Sequence, residues 1–433
     1  MSNRFVNVDR STPMLLPPDL RDWVKEDDLA HFLVDALSLM DVSTAVINHR
    51  GSGSAQYPPA MMLAVLVYCY ANGLFSSRQI ERATYQHLSV RYLAANTHPD
   101  HDTIATFRRR NGALLHATFL QVLQLAQAAG ILRLGTIAID GTKLEASATK
   151  RKTLTYQQLQ EQIAKLNEQI EQRLKEAETE DQKTESGDEL PPELVDAQVR
   201  RARLVEAKAQ LEEQAGRRHE QREKERQETV QGDKPRPCSK LVRPTATINP
   251  TDPQSGLTPT ASGRFIQGYN GQVAVAVESG LIVAADVVSE TNDMRQLQPM
   301  VEKTVANAGV PSAVLVDSGY ENTRQILAIE QQHRCTVYCP PVKTANAGKG
   351  SGSCGQWRRD RKIFRPKLRA RLEQAEGKRL YRLRGTTVEP TIGILKSALG
   401  FRRFHLRGLT NVRTEWTLLT LAFNFRKLAL RMN

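Results

Sequence analysis

The chain has 433 residues, enough for one large core and a smaller one, and its formal net charge of +13 with a pI near 9.6 points to a polyanionic partner. Nucleic acid comes first and an anionic membrane surface second, but the longest apolar run, Ala60 to Ala71, falls far short of the ~20 residues a spanning helix needs. No charged-then-apolar leader opens the chain at Met1 to Asp9, which predicts a cytoplasmic protein, and five irregularly spaced cysteines exclude a disulfide framework.

From Pro18 to Leu132 the pattern is helical. Val24, Leu29, Phe32, Leu33 and Leu37 recur at three- and four-residue spacing, as one helix face requires. Tyr57-Pro58-Pro59 opens a strongly apolar helix carrying Met62, Leu63, Leu66 and Val67; Gly73 ends it, and Ser76 and Ser77 are available to cap the next. After the turn His98 to Asp102, Asp102 or Thr103 is expected to cap a helix with Ile104, Phe107 and Arg108, Arg109 and Arg110. Such a basic helix can lie against a DNA backbone, and a solvated basic face on a helical bundle explains the three arginines equally well.

At Gly130 the character changes: Leu134, Ile137, Ala138 and Ile139 read as a short strand ending on Asp140, with Gly141 terminating it. Residues Leu154 to Thr229 are dominated by Gln, Glu, Lys and Arg, with a narrow apolar seam at Leu159, Ile163, Leu166, Ile170 and Leu174. Ser186-Gly187-Asp188 and Pro191-Pro192 interrupt it before Val195, Val199, Leu204 and Leu211, so an inserted helical hairpin is expected. Pro235 to Ser262 reads as a linker with little core material. An α/β pattern follows: a hairpin through Val273, Val275 and Val277, Ser279-Gly280, and Ile282 to Val287; a helix from about Asp293; a strand Val314 to Val316 ending on Asp317. Another helix, a strand around Cys335 to Cys339, a loop rich in Gly, Arg and Lys, and a final helix with Leu418, Leu421, Ala422, Phe425 and Leu428 on one face complete the chain. Cys335 and Cys339 are expected as strand residues, since no second ligand pair completes a zinc site.

Two strands thus each end on an Asp, and a helix is expected to begin at Glu389, with Pro390 in its first turn. Carboxylates gathered at one sheet edge repel unless a cation sits among them, and an all-oxygen donor set suits Mg²⁺ or Mn²⁺ rather than zinc. Two such ions can activate an attacking oxygen and stabilise a leaving oxygen in phosphodiester chemistry. Taken singly, an Asp after a strand is more often a turn residue or helix cap. Glu389, Gly393 and Lys396 share a helix face at spacings of four and three, which would let Lys396 reach a phosphate, with a salt-bridged surface helix as the competing explanation.

Several blocks then resemble one family: Ile137-Ala138-Ile139-Asp140-Gly141-Thr142; Gly268-Tyr269-Asn270 and Gln272; Val316-Asp317-Ser318-Gly319-Tyr320; Tyr381, Arg384, Glu389 and Lys396; Phe401-Arg402-Arg403-Phe404; and Arg407-Gly408-Leu409 through Asn424 and Lys427. The chain is similar to bacterial insertion-sequence transposases of the DDE type. The resemblance implies an α/β, ribonuclease-H-like mixed sheet with flanking helices (131–433), preceded by an all-α DNA-binding domain (1–130) and interrupted by a helical-hairpin insertion (151–232) and a linker (233–262). It implies Asp140, Asp317 and Glu389 as catalytic metal ligands for Mg²⁺, with Mn²⁺ as an alternative. It further implies DNA contacts by Tyr381, Arg384, Lys396, Arg402, Arg403 and Arg407, with Arg108 to Arg110 in the end-binding element. The expected partners are transposon-end and target DNA and a second copy of the chain, in the bacterial nucleoid. In the family pattern the arginine stands four residues before the glutamate; here Arg384 stands five before Glu389, with Gly385 in the expected slot, and a one-residue bulge ahead of the helix is expected to restore its reach. A DNA-binding protein, or a nuclease of the same fold that never rejoins strands, is the alternative function; a coiled-coil adaptor would account for the insert alone.

Overall fold

The computed structural model describes residues 19–47, 55–181, 192–227, 239–260, 263–342 and 355–432. The expected hairpin turn at Ser186 to Asp188, Pro191, and most of the Gly-, Arg- and Lys-rich loop (343–354) lie outside these residues.

Among the described residues a 3-10 turn (Leu20–Trp23) is followed by six α-helices: α1 (Leu29–Ser38), α2 (Pro59–Ala71), α3 (Ser77–Gln86), α4 (Leu88–Leu93), α5 (His101–Arg110) and α6 (Gly112–Ala128). Ser76 caps α3 through a reciprocal capping box with Gln79. The cap of α5 is Asp100, whose carboxylate accepts from the Thr103 N–H at 2.6 Å, so neither Asp102 nor Thr103 caps it. Every residue of α2 from Met62 to Ala71 is buried, which identifies the longest apolar run as a central core helix; no helix among the described residues is long and apolar enough to cross a membrane.

A six-stranded mixed sheet follows, built from β1 (Thr136–Glu145), β4 (Gly256–Pro259), β5 (Phe265–Ala276), β6 (Ile282–Val288), β7 (Ala313–Leu315) and β8 (Thr336–Tyr338). Its order is β4-β5-β1-β7-β8, with β6 also on β5; β1 is antiparallel to β5 and parallel to β7, and β7 is parallel to β8. Cys335 and Cys339 flank β8 as buried thiols. Helices α9 (Leu297–Ala308), α10 (Thr323–His333), α11 (Gly355–Glu373), α12 (Ala375–Gly393) and α13 (Leu409–Met432) pack around the sheet. This is an α/β fold of the ribonuclease-H-like kind.

Between β1 and β4 stand α7 (Tyr156–Asp181) and α8 (Pro192–Gln227), paired along their length, with the short strands β2 (Leu154–Thr155) and β3 (Thr247–Ile248) at their base. Leu159, Leu166, Leu204, Ala207, Leu211 and Ile248 form a small core separate from the main one. The supposed linker is better packed than its Pro/Thr/Ser composition implies: β3 and β4 lie in it, and Asn249, Asp252, Ser255 and Thr258 are buried. Most of its buried polar side chains find partners within the fold, as when the Tyr269 hydroxyl donates to Asp252 Oδ1 at 2.7 Å and the Gln267 amide donates to the Ser255 carbonyl at 2.9 Å, although Asp252 Oδ2 has no hydrogen-bond partner among the described residues. Helices α1, α2, α5 and α6 share one continuous hydrophobic core with the sheet. The C-terminal α13 joins them, packing on α2, α6 and β6 at once.

Candidate active site

Strand β1 continues through Asp140 to Glu145, so Gly141 does not terminate it. What ends near Asp140 is the pairing with β7, which covers only Thr136 to Ala138. Beyond that point β7 no longer pairs with β1, whose far end instead bridges Arg403 through Glu145, and the loop after β7 brings Asp317 near Asp140. Gly141 serves close approach instead of a turn: a Cβ there would collide with the Gln272 amide and stand 2.6 Å from Asp293 Oδ1.

Asp317 caps a single 3-10 turn, Ser318–Tyr320, and accepts from the Gly319 N–H at 2.8 Å. Glu389 does not begin a helix. It lies near the C-terminal end of α12, where Pro390 sits inside the helix at the loss of one backbone hydrogen bond. Buried Leu380, Thr387, Val388 and Thr391 fasten that helix to the core, and this packing outweighs the local preference of proline for a first turn. A π-helical segment, Ile394–Ala398, follows without a break and carries Lys396, whose ammonium donates to the Lys143 carbonyl at 3.1 Å.

Arg384 joins two of the acids. One guanidinium nitrogen donates to Asp140 Oδ2 at 2.7 Å and another to Glu389 Oε1 at 2.8 Å. No bulge is needed, because the long side chain spans the five-residue offset along one unbroken helix. Burial pushes the Asp140 carboxyl up to about 6, opposed by Arg384 and by the Gly141 N–H, with Asp317 and Asp293 adding repulsion. Burial also raises the Tyr381 phenol, which feels Arg384, Asp317 and Asp140, so Tyr381 faces the same place one turn before Arg384. The Lys396 ammonium is lowered by burial and by Arg402.

Among the described residues no three His, Cys, Asp or Glu side chains stand close enough together to hold a metal ion as they are. The cation between Asp140 and Glu389 is a guanidinium, and it holds those two carboxylates one guanidinium apart. The donor chemistry nonetheless fits a divalent ion: every donor is a carboxylate oxygen, and buried Asp140 already requires a neighbouring positive charge.

The remaining basic residues divide. Arg108 is buried; it donates to the Tyr70 hydroxyl at 2.6 Å and the Phe75 carbonyl at 2.7 Å, and lies 3.9 Å from buried Glu415. It is a core residue and is withdrawn from the DNA interface. Arg109 and Arg110 are exposed at the end of α5. Arg402, Arg403 and Arg407 line the far end of β1: Arg402 donates to the Lys396 carbonyl at 3.4 Å, Arg403 to Glu145 at 2.9 Å and Arg407 to the Ser147 carbonyl at 3.0 Å. All three are exposed. Sequence reasoning missed Asp293 and Lys143, which stand beside Gly141. Asn270 and Gln272, polar residues in the middle of an apolar strand, were the available signal.

The sheet order defines the chain as a ribonuclease-H-like α/β protein. A family model described as the transposase DDE domain matches residues 245–425, and one described as a transposase domain (DUF772) matches residues 18–110. Together they span well over half of the chain, which belongs to the DDE transposases. Asp140 and the helical hairpin fall between the two matched segments. No curated protein and no solved structure matches the chain.

Proposed function

We propose that this transposase cuts DNA at the terminal inverted repeats of an insertion sequence and joins the freed ends to target DNA, using Asp140, Asp317 and Glu389 as catalytic carboxylates. The observation that carries the reading is the Arg384 bridge: acids from a central strand and a C-terminal helix, far apart in sequence, meet on one cation, with Asp317 adjacent. A binding protein has no use for such acids beside DNA phosphates. Two divalent ions, Mg²⁺ or Mn²⁺, would supply Lewis-acid activation of the attacking and leaving oxygens.

The chain's own groups do the rest. Asp140, fixed in the sheet, and Asp317, fixed by its cap, are rigid donors, whereas Glu389 is more than half exposed on its helix and can adjust. Arg384 must leave the gap between the carboxylates, and a DNA phosphate offers the guanidinium an equivalent partner. Tyr381, Lys396, Arg402, Arg403 and Arg407 would hold the backbone on either side of the cut, and Arg109 and Arg110 would contact the transposon end. Joining two ends calls for a homodimer acting at the nucleoid.

The test is Mg²⁺-dependent cleavage of flanking-DNA substrates by Asp140→Ala, Asp317→Ala and Glu389→Ala. Each variant should lose cleavage by at least a thousandfold, about 4 kcal/mol of transition-state stabilisation, while binding the ends like the parent. Normal cleavage by any one of them removes that residue from the site. The rival reading, a nuclease of the same fold, requires cleavage without any joined product in a strand-transfer assay.

A further inference from the structure

On one face of the sheet, directly beside the proposed site, runs a chain of hydrogen bonds that the catalytic reading leaves unused. In the β1–β5 register Gly141 lies opposite Gln272 and Lys143 opposite Asn270. Gln272 and Asn270 are almost wholly buried, at 0% and 1% exposure, although both are polar. Their amide nitrogens converge on Asp293 Oδ1, each at 2.7 Å. Asp293 comes from the loop between β6 and α9, and Lys143 Nζ stands 3.6 Å from the same oxygen as its counter-charge. The other end of the Gln272 amide is also occupied: its Oε1 accepts from the Tyr320 hydroxyl. Tyr320 is fully buried and closes the 3-10 turn that Asp317 caps. From the opposite side the indole N–H of Trp416 donates to the Gln272 carbonyl at 3.0 Å, fixing the backbone of that residue as well.

The path therefore runs from Asp293 through Gln272 to Tyr320. At one end it presses against Gly141, next to Asp140; at the other it anchors the turn that carries Asp317. We propose that Asp293, Gln272 and Tyr320 are positioning residues that set the spacing between the carboxylates of Asp140 and Asp317, and thereby the affinity of the site for divalent cations. Gln272 suits the task because its amide donates at one end and accepts at the other, so both neighbours fix its orientation. Lys143 offsets part of the charge of Asp293, which still adds some repulsion at Asp140. The lack of a side chain at Gly141 lets this support come so close to the sheet.

The inference rests on the metal-site reading given above, and the experiment separates the two. Mn²⁺ binding to the full chain, free of DNA, is measured by titration calorimetry for the parent and for Asp140→Ala, Asp293→Asn and Tyr320→Phe. Removing groups that orient metal ligands weakens metal affinity by about ten- to a hundredfold, and that loss is expected for Asp293→Asn and Tyr320→Phe with DNA-end binding intact. A merely structural role lowers the melting temperature and leaves the Mn²⁺ affinity of the folded protein unchanged; that result overturns the proposal. Should Asp293→Asn fail to fold, Tyr320→Phe decides, since it deletes a single oxygen. If Asp140→Ala binds Mn²⁺ like the parent, the metal-site reading itself falls. If Asp140→Ala loses binding while both other variants match the parent, only the positioning role is lost.

Discussion

At Asp140, burial and charge act against each other. Desolvation raises its carboxyl to about 6, whereas Arg384 and the Gly141 N–H favour the ionised form. Because the folded value lies above the ordinary 3.8, the native state holds this proton more tightly than the unfolded chain does. The group's contribution to stability is complete below about pH 4 and is lost as pH rises through about 6, by up to about 3 kcal/mol. Asp140→Asn abolishes that dependence, so in metal-free protein its melting temperature should gain on the parent between about pH 4 and pH 7.5. A difference that stays constant with pH would mean that Asp140 is not destabilised by burial. Arg384→Gln removes the internal cation between Asp140 and Glu389, and Mn²⁺ should then bind the DNA-free protein more tightly, by about tenfold, because a charged hydrogen-bonding competitor is gone. Equal affinity in calorimetry would show that Arg384 does not obstruct the site.

Helix α5 shows how an element's partners decide the role of its residues. Arg108 follows Ile104 by one helical turn and so shares its buried face, whereas Arg109 and Arg110 turn to solvent. Its guanidinium meets the Tyr70 hydroxyl from α2 and lies near Glu415 from α13, and Glu415 also accepts from the backbone N–H groups of His405 and Leu406 at 2.9 and 3.0 Å. Arg108→Ala leaves Glu415 buried without this counter-charge, a change that costs about 3–5 kcal/mol. Chemical denaturation should show that loss. Arg109→Ala with Arg110→Ala should leave stability nearly unchanged and reduce the salt dependence of DNA binding by about 0.9 for each phosphate that is no longer neutralised. An unchanged salt slope would assign Arg109 and Arg110 to favourable placement at a helix C-terminus alone. The run of three arginines reads as one basic patch in sequence. Its division follows from the four-residue step from Ile104, which periodicity already contained.

Across the whole molecule, the described residues hold two hydrophobic cores, a large one shared by the N-terminal helices, the sheet and α13, and a small one inside the α7–α8 hairpin. Separate cores can unfold separately. Leu204→Ala, in the small core, should cost about 2–5 kcal/mol within the hairpin and shift only the lower of two thermal transitions, with cleavage retained. A single transition shifted as a unit would show that hairpin and sheet unfold together. The hairpin itself was legible in sequence, because a narrow apolar seam between charged residues has one helical solution. So were part of β1 and the strands β5 to β8, since alternating apolar runs and the turns after them are local signals. Glu389 was placed at the wrong end of its helix: proline's preference for a first turn is weak beside the burial of Leu380, Val388 and Leu395. The linker was misread for a related reason, as polar composition does not reveal side chains that satisfy one another inside a fold. Local pattern thus determined most of the segments that become helix or strand but not where they end, since β1 runs on past Asp140 and α12 begins well before Glu389. Tertiary structure alone decided that Arg384 spans Asp140 and Glu389, that Arg108 meets Tyr70 and Glu415, and that Asp293 lies beside Gly141, because each depends on a partner distant in the chain that no local period encodes.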